Sequence, residues 1–187
     1  MEEAKGKSFL DNMLTTFINT LVKVADEKVQ AHFGKNLEEL LTHFMAKVNS
    51  EFERQCLLWY FLGKGKPMEV SSEVFQRIAE AAVASRAASE KRYHGPQKVT
   101  INGKVYDSQI ISFYDCDEFD YALGCAVVFF DENGVPVGLK DTYDFNEAKH
   151  RDTNAENDTT FMAKFEKANL AKSYAILYGI NDYKLND

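Results

Sequence analysis

Within eleven consecutive residues, Asp141 to Arg151, the chain places two carboxylates (Asp141 and Asp144), a phenol (Tyr143), an imidazole (His150) and a guanidinium (Arg151). These are the side-chain types that phosphoester cleavage calls for. A carboxylate holds a hard cation or activates water, and an imidazole titrates close enough to neutral pH to move a proton. A planar guanidinium meets phosphate oxygens with a fork of donors. The same residues also have structural uses. Asp141 and Asp144 suit turns or helix caps, Tyr143 and Phe145 suit a core, and His150-Arg151 suits a solvated pair. Composition alone does not choose between the two readings, because charged residues make up about a quarter of an ordinary globular chain.

Order and spacing add to the inventory. Asp141-Thr142-Tyr143-Asp144-Phe145-Asn146, followed after a short gap by His150-Arg151, resembles the signature of the colicin M family of bacteriocins. In that signature a D-x-Y-D run precedes an adjacent His-Arg pair, and Asp141, Tyr143, Asp144, His150 and Arg151 occupy its places. Upstream, Trp59-Tyr60-Phe61-Leu62-Gly63-Lys64-Gly65 is similar to the aromatic helix end with a G-x-G exit that opens the family's activity domain. Downstream, Tyr174 to Gly179 is similar to its closing strand and turn. The resemblance covers the chain from about residue 56 to the C-terminus.

That resemblance implies a magnesium-dependent hydrolase of lipid II, the undecaprenyl-pyrophosphate-linked peptidoglycan precursor, cutting between the lipid and the pyrophosphate. It implies action at the membrane surface in the periplasm of a target bacterium, and a cognate immunity protein in the producer. It divides the chain into a helical region over 1–55, a reduced delivery part or packing helices, and a catalytic domain over 56–187. Asp141 is the expected principal carboxylate, either holding Mg²⁺ or activating water, with His150 the proton-transfer group and Arg151 the phosphate clamp. Tyr143 is a hydrogen-bond donor to substrate, and Asp144 orients His150 or a loop amide. One departure bears on the metal: the family's namesake has a further acid directly before the first motif Asp, where this chain has Lys140.

With 22 basic and 29 acidic residues the formal charge is -7. An acidic chain lacks the cationic footprint of a nucleic-acid binder, which weighs against a nuclease toxin using the same cluster. A non-catalytic immunity or adaptor domain carrying the motif as loop chemistry is the other alternative. The apolar runs fall far short of the ~20 residues a membrane-spanning helix needs. The acidic start Met1-Glu2-Glu3-Ala4 does not resemble a cleavable signal peptide, so delivery by lysis or a dedicated machine is expected, through a receptor or secretion route that is unspecified. Cys56, Cys116 and Cys125 have no metal spacing and read as buried small apolar residues, with a 116–125 bridge as the alternative.

The elements that must position the cluster follow from periodicity. Phe9, Met13, Phe17, Leu21 and Val24 predict a helix over 8–33. Asn36 caps a second, with Leu37, Leu40, Leu41, Phe44, Val48 and Phe52 as its stripe, and Cys56 to Leu62 is buried on most sides. Gly63 to Pro67 is a break without the spacing of a phosphate-binding loop. Ser71-Ser72-Glu73 starts a third helix, with Val74, Ile78, Ala81 and Ser85 on one face, ending near His94. From Gln97 the period changes to two. Val99 to Tyr106 is a hairpin turning at Asn102-Gly103, and Gln109 to Tyr114 continues as strand. Asp115 to Asp120 reads as a solvated acidic linker. Ala122 to Phe130 is a buried strand, Asp131 to Gly134 a turn, and Val135 to Leu139 a strand that Pro136 restricts to an edge or a bulge. The signature then begins where that strand ends. A short helix after Asp158 and a final strand over Ser173 to Tyr178 close the chain. The expected fold is α+β: N-terminal helices, then a mainly antiparallel, strongly curved sheet, an open or half β-barrel, with packed helices.

Overall fold

A computed structural model describes Asn12, Thr16 and residues 46–145 and 153–180, the stretch 153–158 by its backbone alone. Asn12 and Thr16, both helical, are its only part of the helix expected over 8–33. Leu37 to Phe44 lie outside the described residues. Two compact units form, one from Met1–Lys64 with Asp144–Ser173, the other from Gly65–Tyr143 with Tyr174–Asp187. The boundary expected at 55/56 falls inside a helix of the first unit.

That helix, α1, spans Glu51–Leu62. The second helix does not run unbroken from Asn36 to Leu62, as periodicity predicts. Ser50 restarts it, because its hydroxyl accepts from the Glu53 amide (3.0 Å) while the Glu53 carboxylate accepts from the Ser50 amide (3.1 Å). This reciprocal cap satisfies two helix-end donors at once. Only Glu51, Gln55, Trp59 and Leu62 of α1 are exposed, as expected of so apolar a run. A second helix of this unit, Thr153–Lys167, starts earlier than Asp158. Its Phe165 meets the edge of Phe61 at 5.2 Å, and Tyr60 donates to the Met162 carbonyl at 3.3 Å.

The other unit is a sheet with one long helix. Helix α2 spans Ser72–Tyr93 with Ser71 as N-cap, so the Thr153–Lys167 helix is α3. The strands are β1 (Met68–Glu69), β2 (Gln97–Ile101), β3 (Lys104–Ser112), β4 (Cys125–Phe130), β5 (Pro136–Tyr143) and β6 (Tyr174–Tyr178). Among the described residues the protein is thus α+β, with three helices and an open six-stranded sheet in the order β1-β6-β5-β4-β3-β2. Four of the five pairings are antiparallel. The parallel one joins β6 to β1, a two-residue strand with no periodicity to announce it.

Turn chemistry behaves as the sequence predicts. Asn102 and Gly103 both take positive φ (51° and 77°), the geometry whose twist matches a two-residue hairpin. Asp131 Oδ1 accepts from the amides of Val135 (2.8 Å) and Asn133 (2.9 Å), and those bonds hold its carboxyl below the ordinary range. Pro136 sits in an inner strand and not at an edge. It is tolerated because the register shifts between Phe129 and Phe130 opposite it, the bulge alternative.

Other expectations shift by a few residues. The buried line of α2 is Phe75, Ile78, Ala82 and Ser89, not Val74-Ile78-Ala81-Ser85. Phe75 stacks on Tyr178 at 3.9 Å, Arg86 bonds the buried Gln109 (3.1 Å), and Ser89 accepts from the Ser112 amide (3.0 Å). Those partners set the helix's rotation. The 115–120 stretch is a run of turns pinned by Phe119, which is buried with its edge toward Phe113, and not a solvated linker. Ala122 to Gly124 belong to those turns, so the strand begins at Cys125. All three cysteines are free, Cys56 buried and the others partly so. No described helix is long and apolar enough to cross a membrane.

Candidate functional site

The motif begins within the sheet and not beyond it. The strand before it does not stop at Leu139, since β5 continues to Tyr143 and carries Asp141, Thr142 and Tyr143 into the sheet. The cause is β6, whose residues Tyr174 to Tyr178 pair with Tyr143 back to Leu139. Side chains alternate along a strand, so Leu139, Asp141 and Tyr143 share one face and Lys140 takes the other.

The shared face lies under α2. Tyr178, Leu139, Val128 and Gln109 form one cross-strand row, with Phe75 stacked on its first member and Arg86 bonded to its last. Asp141 belongs to the next row, directly opposite the fully buried Ile176. Tyr143, 4% exposed, stacks on Tyr174 at 5.3 Å. Asp141 is thus a partly buried carboxylate in a line of Leu139, Ile176 and Tyr143, and it is neither a turn residue nor a cap. Tyr143 has the core contacts that its alternative reading foresaw.

Asp144 and Phe145 open the returning segment of the other unit. Asp144 is exposed, and the Phe145 ring meets the edge of Tyr60 at 5.0 Å. Tyr60 is fully buried. Burial raises its phenol well above the ordinary tyrosine value, and the neighbouring Glu166 and Asp144 carboxylates raise it further. Glu166 in turn accepts from the Ser173 hydroxyl (2.7 Å) and amide (3.1 Å). Tyr60 therefore lies against Phe145 and close to Asp144, with Glu166 beside it, and the types of Tyr60 and Glu166 alone did not single them out. The signal available was Tyr60's place in the aromatic Trp59 to Gly65 stretch at the end of α1.

His150 and Arg151 lie outside the described residues, as do Asn146 to Lys149. Of the five motif residues the structure thus places Asp141 and Tyr143 on one strand face and Asp144 just beyond the strand's end. Among the described residues no three His, Cys, Asp or Glu side chains gather as a metal cluster. A cleft of about 300 Å³ lies at the hairpin end, lined by Lys98, Lys104, Asp107 and Asp131 among others. It adjoins the turn leading into β5, whereas Asp141 is near that strand's end, and its Lys98 and Asp107 pair with each other at 2.6 Å. None of the described motif residues lines it. The chain matches no family model, no curated protein and no solved structure.

Proposed function

We propose that the protein is an antibacterial hydrolase of the colicin M kind, cutting lipid II between undecaprenyl and pyrophosphate in the periplasm of a target bacterium. The observation that carries this reading is the ordered set Asp141, Tyr143, Asp144, His150 and Arg151 along one short segment. The setting of Asp141 supports it. A carboxylate stands among Leu139, Ile176 and Tyr143 where the strand pattern calls for an apolar residue, and such departures concentrate at functional sites. Pairing with β6 as far as Tyr143 also holds that carboxylate more precisely than a loop would. The strongly curved, half-barrel form of the sheet belongs to the same proposal. In support, Ile101 of β2 and Ile180, just after β6, cluster with Phe129 of β4.

When bound, Mg²⁺ would supply positive charge to offset the negative charge developing on the pyrophosphate. Asp141 would hold it. The ion keeps several waters and binds through one or two carboxylates plus substrate phosphates, so one protein carboxylate suits it. Lys140, standing where the family's namesake has a further acid, takes the other face of β5, so no second carboxylate adds to Asp141 from that position. His150 transfers the proton and Arg151 grips phosphate oxygens. Tyr143 donates a hydrogen bond to substrate, and Asp144 orients His150 or a loop amide.

Incubation with labelled lipid II, and separately with RNA and DNA, each with Mg²⁺ or with a chelator, tests the reading. Release of the polyprenyl alcohol, lost in a folded Asp141→Ala variant, is expected. Nucleotide fragments would reassign the cluster to a nuclease, and no product from any substrate would leave a non-catalytic domain.

A further inference from the structure

The solvent-facing line of α1 changes character along its length. Glu51 and Gln55, bonded to each other at 3.3 Å, give way to Trp59 and Leu62, which are 37% and 49% exposed. Gly63 ends the helix with the Trp59 indole folded over it, so close that a Cβ there would lie 2.6 Å from the ring. The glycine thus lets an aromatic side chain lie against the helix terminus while part of its surface stays in water.

Cations gather at the same end of this unit. Lys64 follows Gly63 and is exposed. The chain leaving α3 returns there, because the Lys172 amide donates to the Tyr60 carbonyl at 2.9 Å, which sets exposed Lys172 beside the last turn of α1. Exposed Lys167 lies in the last turn of α3, whose Phe165 and Met162 contact Phe61 and Tyr60. Two acids lie near Tyr60 in the same unit, Glu166, which accepts from Ser173, and exposed Asp144. In a chain of net charge -7, one end of one unit thus combines exposed Trp and Leu with three lysines.

We propose that Trp59, Leu62, Lys64, Lys167 and Lys172 form a docking face for the surface of an anionic lipid bilayer. An amphipathic aromatic at the headgroup level, an apolar neighbour inserted below it and lysines reaching the phosphates are what an interfacial anchor requires. The charge contrast selects an anionic bilayer over an apolar protein partner. The inference is independent of hydrolysis, since it concerns binding to vesicles that contain no lipid II.

The chain's single tryptophan makes the test direct. The full chain is mixed with vesicles of phosphatidylglycerol and phosphatidylcholine, or of phosphatidylcholine alone, and followed by sedimentation and by tryptophan emission. Binding to the anionic vesicles with a blue shift of emission, reversed by salt, is expected. Lys64→Gln, Lys167→Gln and Lys172→Gln should each weaken binding on the order of fivefold. Leu62→Ser should weaken it with the fold intact by circular dichroism. The inference is overturned by equal binding to neutral vesicles, by binding without an emission shift, or by a triple lysine variant that binds as tightly as the parent. A concentration-dependent emission shift without vesicles would assign the face to a second copy and overturn it as well. None of these outcomes bears on lipid II turnover.

Discussion

Replacing Asp141 by Val should leave the protein folded, about as stable as the parent, and inactive. The residue lies between Leu139 and Tyr143 on one face of β5 and opposite the fully buried Ile176. Full burial of a Val side chain contributes about 1.5–3 kcal/mol, so a half-buried position gives roughly 1 kcal/mol. Exchanging a poor strand former for a good one adds up to about 1 kcal/mol. Against these stands about 1.5–3 kcal/mol for the interaction that the charged carboxylate makes in the fold. The two sides cancel to within about 1 kcal/mol, so the melting temperature should stay within about 4 °C of the parent's in a chain of this length. Thermal unfolding and release of polyprenyl alcohol from lipid II are measured on the same preparations, with Asp141→Asn as a near-isosteric companion. Loss of more than about 2 kcal/mol in both variants would show that the carboxylate serves the fold. Full turnover in either would remove it from the reaction.

Further outcomes follow from the rest of the structure. The raised Tyr60 phenol means that the folded state resists its ionisation, so its contribution is complete below the ordinary tyrosine value of about 10 and is lost as pH climbs past it. Melting temperature should therefore fall less steeply above about pH 10 in Tyr60→Phe than in the parent, and parallel slopes would contradict the assignment. Ser50→Ala removes the cap of α1 and should cost about 1 kcal/mol in urea unfolding. Gly179→Ala should cost on the order of 1–3 kcal/mol, because φ is +70° and a Cβ would stand 2.5 Å from the Val137 carbonyl. A melting temperature equal to the parent's would refute that strain.

The sequence by itself settled what depends on near neighbours. Asn102-Gly103 specified its hairpin because the two residues that must take positive φ are the two that take it most readily. Ser71 specified the start of α2 and Asp131 its turn, each through a side-chain oxygen bonded to backbone a few residues on. The Ser50-x-x-Glu53 box was as local and equally legible, yet an apolar stripe running across it pointed to one unbroken helix. The chemical types of the candidate site were legible too, since five polar groups in one segment need no fold to be counted.

Tertiary structure decided everything that depends on a distant partner. Strand β5 runs past Leu139 only because β6, some thirty residues later, presents backbone groups to Asp141 and Tyr143. Two-residue β1 exists only because β6 offers it an edge, and α2 takes its rotation from Tyr178, Gln109 and Ser112. Tyr60 and Glu166 come together through the packing of α1 on α3, about a hundred residues apart in sequence. Strand pairing and core contacts satisfy hydrogen bonds and bury surface without regard to sequence separation. No local pattern around Asp141 therefore announces that it lies within a sheet rather than beyond it.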